Sequence, residues 1–583
     1  MKKELCQNCK KQFTIEDDDF MFYERMKVPS PTWCSECRLM RRFLFWNYRK
    51  LFRRKTEDGE EIFSSFPAHA SLKIFPRDYW WSDSWDPLIY GREYDFSRPF
   101  FEQWKDLLQT VPLPAKSSIA AVNSDYCNLV GFVKNAYLCF DAGEVENSAY
   151  LVSVQGVKDS FDLYESRHGE LSYETIMSDD CNRAFFSFDC ENCLEVWFSK
   201  DLMGCSYCFG CVNLRNKIYY IFNKPYTKEV YFEKLKSFES GSYIALQSML
   251  EKTHGFWLNF PVKYMHSFQN TNVSGEHIQN SRNVFRSYSI HDGEALKYCQ
   301  MVENGVTDCY DYTNFGFASS RVYECLVSGQ KCYDLRWCWE CWDANTDLEY
   351  SAFCHGSSHL FGCIGLRKKE HCIFNKQYSK EDYFALREKI IHHMNEMPYM
   401  DKERRIYRYG EFFPTEFSPF AYNDTLAQDF FPLTNEEAEK RGYLWREPES
   451  KEYQTVINAT DLPDHIKDID NTVLEEVIKC ASCGKAYRII PMELDFLRRL
   501  KLPLPRFCPD CRFSIRMQFI NPPKFWHAKC QCGGPSDNRS IYHNTISHFH
   551  GQNHCPNEFD TSYMPDREEI VYCEQCYNTE VVL

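Results

Sequence analysis

Four cysteines open the chain as two tight pairs, Cys6-Gln-Asn-Cys9 and Cys34-Ser-Glu-Cys37, with 24 residues between the pairs. A second set, Cys480-Ala-Ser-Cys483 and Cys508-Pro-Asp-Cys511, repeats that spacing. Soft thiolates on two knuckles that meet across a loop are what a tetrahedral zinc site requires. Four cysteines also close the site, so it holds structure and leaves no open position for catalysis. Shifting the first set by 474 residues superposes more than the thiols. Phe13, Phe22 and Trp33 fall on Tyr487, Phe496 and Phe507, and Arg38, Arg42, Asn47 and Lys50 fall on Arg512, Arg516, Asn521 and Lys524. One zinc-ribbon module is used twice. A third cluster, Cys530-Gln-Cys532, Cys555 and Cys573-Glu-Gln-Cys576, offers five thiols for four places, with His548, His550 and His554 nearby. Cys573 and Cys576 form its knuckle; Cys532 and Cys555 are the favoured partners, with Cys530 or a histidine as substitute. Roughly three zinc ions per chain are expected.

The second chemistry is electrostatic. Residues 1–55 carry 14 Lys/Arg against 7 Asp/Glu, and residues 480–530 carry 10 against 3, in a chain of net charge −15. In the first ribbon Arg38, Arg41, Arg42, Arg49, Lys50, Arg53 and Arg54 interleave with Phe43, Phe45, Trp46, Tyr48 and Phe52; Arg512, Arg516 and Lys524 repeat the motif. Cations for phosphate beside flat rings for bases is the surface that structured or single-stranded RNA requires. The competing reading turns the rings inward and docks the arginines on the acidic remainder of the chain.

Thirty cysteines are distributed as four in residues 1–55, seventeen between Cys127 and Cys372, and nine after residue 479. Their number in a long chain, behind an N-terminus without an apolar run after its lysines, argues for reduced thiols in a cytoplasm rather than a secreted disulfide scaffold. No apolar run reaches the 18 or so residues of a membrane helix. The middle contains a duplication: residues 204–238 align without gaps on 356–390, with Phe209-Gly-Cys211 on Phe361-Gly-Cys363 and Ile221-Phe-Asn-Lys224 on Ile373-Phe-Asn-Lys376. Within each copy, short β-favouring runs recur every 11–13 residues, as in Asn135-Ala-Tyr-Leu and Asn147-Ser-Ala-Tyr-Leu. The fold class expected is mainly β, a duplicated β-solenoid with capping helices between zinc-ribbon modules, and an antiparallel meander is the alternative. Cysteine suits the interior columns and asparagine the corners. Thr227 and Ser379 read as helix N-caps. Cys205, Cys208 and Cys211 lack the fourth thiol of a bacterial iron–sulfur motif, whereas the recurring Cys190/Cys193 and Cys338/Cys341 pairs leave a further metal open.

These elements imply a layout: a zinc ribbon over 1–55, an aromatic connector with a helix over 56–120, repeat copies over 121–240 and 265–395, a connector over 396–470, a second ribbon over 471–529 and a C-terminal metal site over 530–583. Thr434-Asn-Glu-Glu reads as a capping box. The rings Trp80, Trp81, Trp85 and Trp104 are expected to pack the first ribbon onto the solenoid, a sugar or peptide platform being the alternative.

The stretches Tyr79-Trp-Trp-Ser-Asp-Ser-Trp-Asp-Pro, Phe209-Gly-Cys-Val-Asn-Leu-Arg, Gly410-Glu-Phe-Phe-Pro-Thr-Glu-Phe-Ser-Pro-Phe and Thr561-Ser-Tyr-Met-Pro-Asp-Arg-Glu-Glu-Ile-Val-Tyr-Cys573 are similar to an uncharacterised bacterial family, met mainly in candidate-phyla genomes. That family combines terminal zinc ribbons with Cys- and Asn-rich repeats, and the resemblance brings no established activity. The chain carries no P-loop, dinucleotide fingerprint or hydrolase elbow, so neither ATP nor a dinucleotide is expected. The functional expectation is a zinc-stabilised binding scaffold for structured RNA, a ribonucleoprotein or a protein partner. The rival is an enzyme between the two copies, with Arg215, Asn223 and Lys224 as candidates.

Overall fold

The computed structural model describes residues 1–56, 58–447 and 457–582. Two β-solenoids form its middle, one a 12-stranded and the other a 14-stranded sheet. Pairing between coils is parallel, Ser118 opposite Val130 and Leu194 opposite Ser206, so a coil of the first solenoid takes twelve residues. The antiparallel meander is thereby excluded. The second solenoid widens to thirteen residues per coil where Thr313 pairs with Leu326, then returns to twelve where Ser358 pairs with Glu370.

A finer period of three builds each coil. From Cys127 the buried positions run Val130, Val133, Ala136, Cys139, Ala142 and Val145. The residue before each of the positions from Val130 to Val145 is left-handed: Leu129, Phe132, Asn135, Leu138, Asp141 and Glu144 all lie at φ near +50°. A non-glycine residue there costs on the order of 1–3 kcal/mol, and ladders offset it. Asn123, Asn135, Asn147 and Asp159 stack at the same corner of successive coils and donate amide to oxygen in turn at 2.9–3.2 Å. Inside, the Ser148 and Ser160 hydroxyls accept from the backbone N–H twelve residues on and donate to the carbonyl two residues back. Interior thiols copy the second bond, Cys190 and Cys338 each donating to the carbonyl two residues back at 3.4 Å. All seventeen middle cysteines are buried. They fill columns in which small, weakly polar groups fit, which accounts for them without metal.

Each solenoid ends identically. A short antiparallel return, Ile218–Ile221 onto Lys224–Pro225 and Glu370–Ile373 onto Lys376–Gln377, covers the last strand. Asn223 then bonds both backbone groups of Val212 at 2.9 Å, and Asn375 bonds those of Ile364 at 2.8 Å, each acting as the peptide of a missing next coil. The helices Lys228–Leu235 and Lys380–Glu396 follow, N-capped by Thr227 and Ser379. Strand edges that would otherwise template further pairing are thus closed. Thr434 forms its capping box on the helix Asn435–Lys440. Among the described residues no helix is long and apolar enough to cross a membrane.

Candidate metal centres, clamps and an inter-solenoid groove

Both ribbons fold alike. A left-handed knuckle residue (Lys10, Gly484) turns the first pair, and a helix (Asp17–Met26, Pro491–Leu500) ends in left-handed Lys27 or Lys501. The next helix starts on the third cysteine as N-cap, Cys34 or Cys508. The backbone N–H of that cysteine donates to the first thiol, Cys6 or Cys480, at 3.3 Å. Cys6, Cys9, Cys34 and Cys37 form one group that could hold a metal ion, and Cys480, Cys483, Cys508 and Cys511 form another. The Sγ atoms of Cys9 and Cys34 lie 3.8 Å apart and those of Cys483 and Cys508 lie 3.7 Å apart. A tetrahedron with zinc–sulfur bonds of about 2.3 Å has edges of about 3.8 Å. At the C-terminus the four-thiol group is Cys530, Cys555, Cys573 and Cys576. Cys530 therefore takes the place the sequence favoured for Cys532; the segment between them is anchored at Gln531, whose N–H donates to the Val571 carbonyl and whose side-chain oxygen accepts from the Val571 N–H. Cys532 lies instead with His548, His550 and Cys576.

Eight of the ten cations that the sequence marked for phosphate are engaged by groups of the protein itself. Arg38 and Arg42 both bind Asp311 of the second solenoid, at 2.8 and 3.2 Å, and all three side chains are buried. Arg512 and Arg516 bind Asp162 of the first solenoid at 3.1 and 2.9 Å. Arg41 binds Glu324 and Glu411 beneath the Trp33 ring. Arg49 pairs with Asp429 and covers Phe513 of the other ribbon at 3.8 Å, Lys50 pairs with Asp424, and Arg54 donates to the carbonyls of Pro67 and Leu72. Arg53 over Phe63 is exposed, and Lys524 over Trp526 is partly so. Arg38, Arg41, Arg42, Arg49, Lys50, Arg54, Arg512 and Arg516, expected from sequence to meet phosphate, thus have carboxylate or carbonyl partners within the chain. A buried cation must be matched by carboxylate or carbonyl, and the solenoids and connectors supply both. Arg215, an enzyme candidate by sequence, binds Asp201, and its partner Asn223 closes a coil end.

Between the solenoids lies a cavity of about 500 Å³ that sequence reasoning placed only as "between the copies". Two columns of each solenoid form its walls. Asp141, Ser153, Glu165 and Met177 stand twelve residues apart, and His277, Ser289, Met301 and Asn314 face them. Bonds cross the cavity: Ser289 donates to Glu165 at 2.6 Å, Asn314 to Asp141 at 3.0 Å, and Arg167 pairs with Glu303 at 2.5 Å. Asp141, Glu144, Glu165, Asp179, Glu303 and Asp343 line it against a single guanidinium, Arg167. Burial pushes Glu165 up to about 7 and raises Asp141, Asp179 and Glu303; it drives His291 well below its ordinary value. The rings of Phe132, Phe315, Phe317 and Trp342 complete the lining. The signal that would have found these residues is the period: every twelfth residue from Asp141 lies on one face.

Beside the cavity, Asp189, His266 and His277 bring their ligand atoms within 4.8 Å of one another. The Nδ1 atom of His266 lies 2.8 Å from buried Glu276, which also receives the Asn521 amide. The negative charges of Asp189 and Glu276 hold His266 up to about 9 despite its burial, so the cluster is satisfied as an ion-paired staple between the solenoids.

No family model and no curated protein matches this chain. Among solved structures it is similar to a "putative acetyltransferase" from Desulfovibrio desulfuricans, at 10% identity over 50% of this chain and 75% of that one, with a TM-score of 0.09. A likeness at that score carries no argument about fold or activity.

Proposed function

We propose that the chain is a zinc-stapled binding scaffold whose ligand seats in the cavity between the two solenoids and carries positive charge, as an organic amine or a Lys/Arg-rich peptide segment. The observation that carries this reading is the lining: six carboxylates and one guanidinium in a cavity of about 500 Å³ with aromatic rings at its wall. Cations are attracted to both carboxylates and ring faces, and polyanions such as RNA are repelled. The volume falls within the range of small-ligand sites. Zinc is the metal that suits closed sets of four thiolates, and thirty free thiols suit a reducing cytoplasm.

Calorimetric titration of the full chain with spermine and with a Lys/Arg peptide tests the reading, with a neutral oligosaccharide and an RNA hairpin as the other arms. Glu144 and Asp343 are exposed at the cavity, so Glu144→Gln with Asp343→Asn should weaken the cations about tenfold and leave melting unchanged. Salt-steep RNA binding with no response to the cations would contradict the proposal.

A second reading has its own observation. Glu165 is held up to about 7, with one oxygen bonded to Ser289 and the other, buried, without a hydrogen bond. A carboxyl half-protonated near neutral pH is suited to general acid–base catalysis. Under this reading the cation is turned over, and Glu165→Gln abolishes product formation while binding persists. Unchanged turnover in that variant would remove it.

A further inference from the structure

We infer that the C-terminal cluster is binuclear, with the Cys576 thiolate bridging two zinc ions and with His548 and His550 as ligands of the second. Two sets of four ligand atoms each lie within 4.8 Å: Cys530, Cys555, Cys573 and Cys576, and Cys532, His548, His550 and Cys576. Only Cys576 belongs to both. The spacings are those of filled tetrahedra. The Cys555 and Cys573 Sγ atoms stand 3.8 Å apart, as in the two ribbons. Nδ1 of His548 lies 3.5 Å from the Cys532 sulfur, and Nε2 of His550 lies 3.3 Å from that of Cys576. With zinc–sulfur at about 2.3 Å and zinc–nitrogen at about 2.05 Å, a tetrahedral S···N edge is about 3.5 Å.

The rings are also held as ligands are held. The other nitrogen of His548 faces the buried Glu580 carboxylate at 3.2 Å, and the other nitrogen of His550 faces the Asn553 carbonyl at 2.7 Å. A carboxylate or carbonyl behind the ring fixes its tautomer and aims the free nitrogen at the metal. Amide donors reach the sulfurs as they would reach thiolates, Asn544 to Cys532 and Asn557 to Cys573, each at 3.3 Å. Charge points the same way. Five buried thiolates around one dication leave a net charge of about −3, whereas a second dication brings it to about −1. A simple His548–Cys532 hydrogen bond would explain one ring but not why His550 also turns to a sulfur that the four-thiol set already uses. A mixed thiolate and imidazole donor set suits zinc.

The test is metal analysis and zinc X-ray absorption on the full chain. The expected result is four zinc per chain and a metal–metal distance of about 3.5–4 Å. His548→Ala with His550→Ala should bring the content to three and erase that distance. Three zinc in the native chain with no metal–metal distance, or a double variant that keeps both, would overturn the inference. Should the double variant fail to fold, the metal–metal distance in the native chain decides alone.

Discussion

The two ribbons clamp the two solenoids crosswise, and the clamps are copies of each other. The N-terminal ribbon grips Asp311 of the second solenoid with Arg38 and Arg42, and the C-terminal ribbon grips Asp162 of the first with Arg512 and Arg516. Phe22 stacks on Tyr310 at 3.9 Å where Phe496 meets Phe161 at 4.5 Å. The clamps differ in what encloses them. Arg41 is fully buried between Glu324 and Glu411 of the following connector, whereas 474 residues on stands Ile515, 39% exposed. A duplicated arginine pair on one solenoid aspartate joins each ribbon to a solenoid, and the connector seals one joint more completely than the other.

The largest test of that difference is metal removal. Structural zinc sites contribute about 10–16 kcal/mol of apparent binding energy to folding, so chelation should release the ribbons before the solenoids in hydrogen exchange. The second ribbon should open first, because its Cys483 is exposed while the first ribbon has no exposed thiol; simultaneous release would deny the asymmetry. Next, Asp311→Ala removes the carboxylate that Arg38 and Arg42 share and should cost about 3–5 kcal/mol in denaturant midpoints, whereas Asp162→Ala should cost less, because Arg512 keeps Glu493 and Arg516 keeps Glu174. A neutral Asp311→Ala would mean the clamp contributes nothing. At the coil ends, Asn223→Ala and Asn375→Ala leave one N–H and one carbonyl unpaired, and each should cost about 1–3 kcal/mol. Unequal losses would show that the two solenoid ends are not equivalent.

The smallest effect is on pH. His266 is raised to about 9 in the fold from about 6.5. The folded state therefore binds the extra proton, and the stabilisation is full below about pH 6.5 and lost as pH rises through 9. Glu276, lowered to about 2, contributes stability that is present above about pH 4.5 and lost as pH falls toward 2. Relative to a His266→Gln variant, the native melting temperature should fall between pH 6.5 and 9; parallel profiles would remove the staple.

Much of this was legible because it rests on local spacing. The paired knuckles, the 474-residue offset and the Thr227 and Ser379 caps are visible in the chain. The period of three was missed because Cys, Ser, Ala, Val and Leu share the interior columns, so no single residue type marks them. The cavity residues were missed because Asp141 and Glu165 look like ordinary solvated charges until the coil length is known. The arginines were harder to read for a different reason: a sequence shows that cations and rings alternate, but whether a carboxylate meets them depends on contacts far along the chain, 269 residues for Arg42 with Asp311 and 380 for Arg49 with Asp429.

The most direct measurement is on the variant Arg41→Gln, Arg42→Gln, Arg49→Gln, comparing its melting temperature and its RNA affinity across a salt titration with those of the native chain. Internal clamping predicts a melting temperature lowered by many degrees and no salt-steep RNA binding in either protein. An unchanged melting temperature, with loss of an RNA affinity that the native chain possesses, would contradict the account.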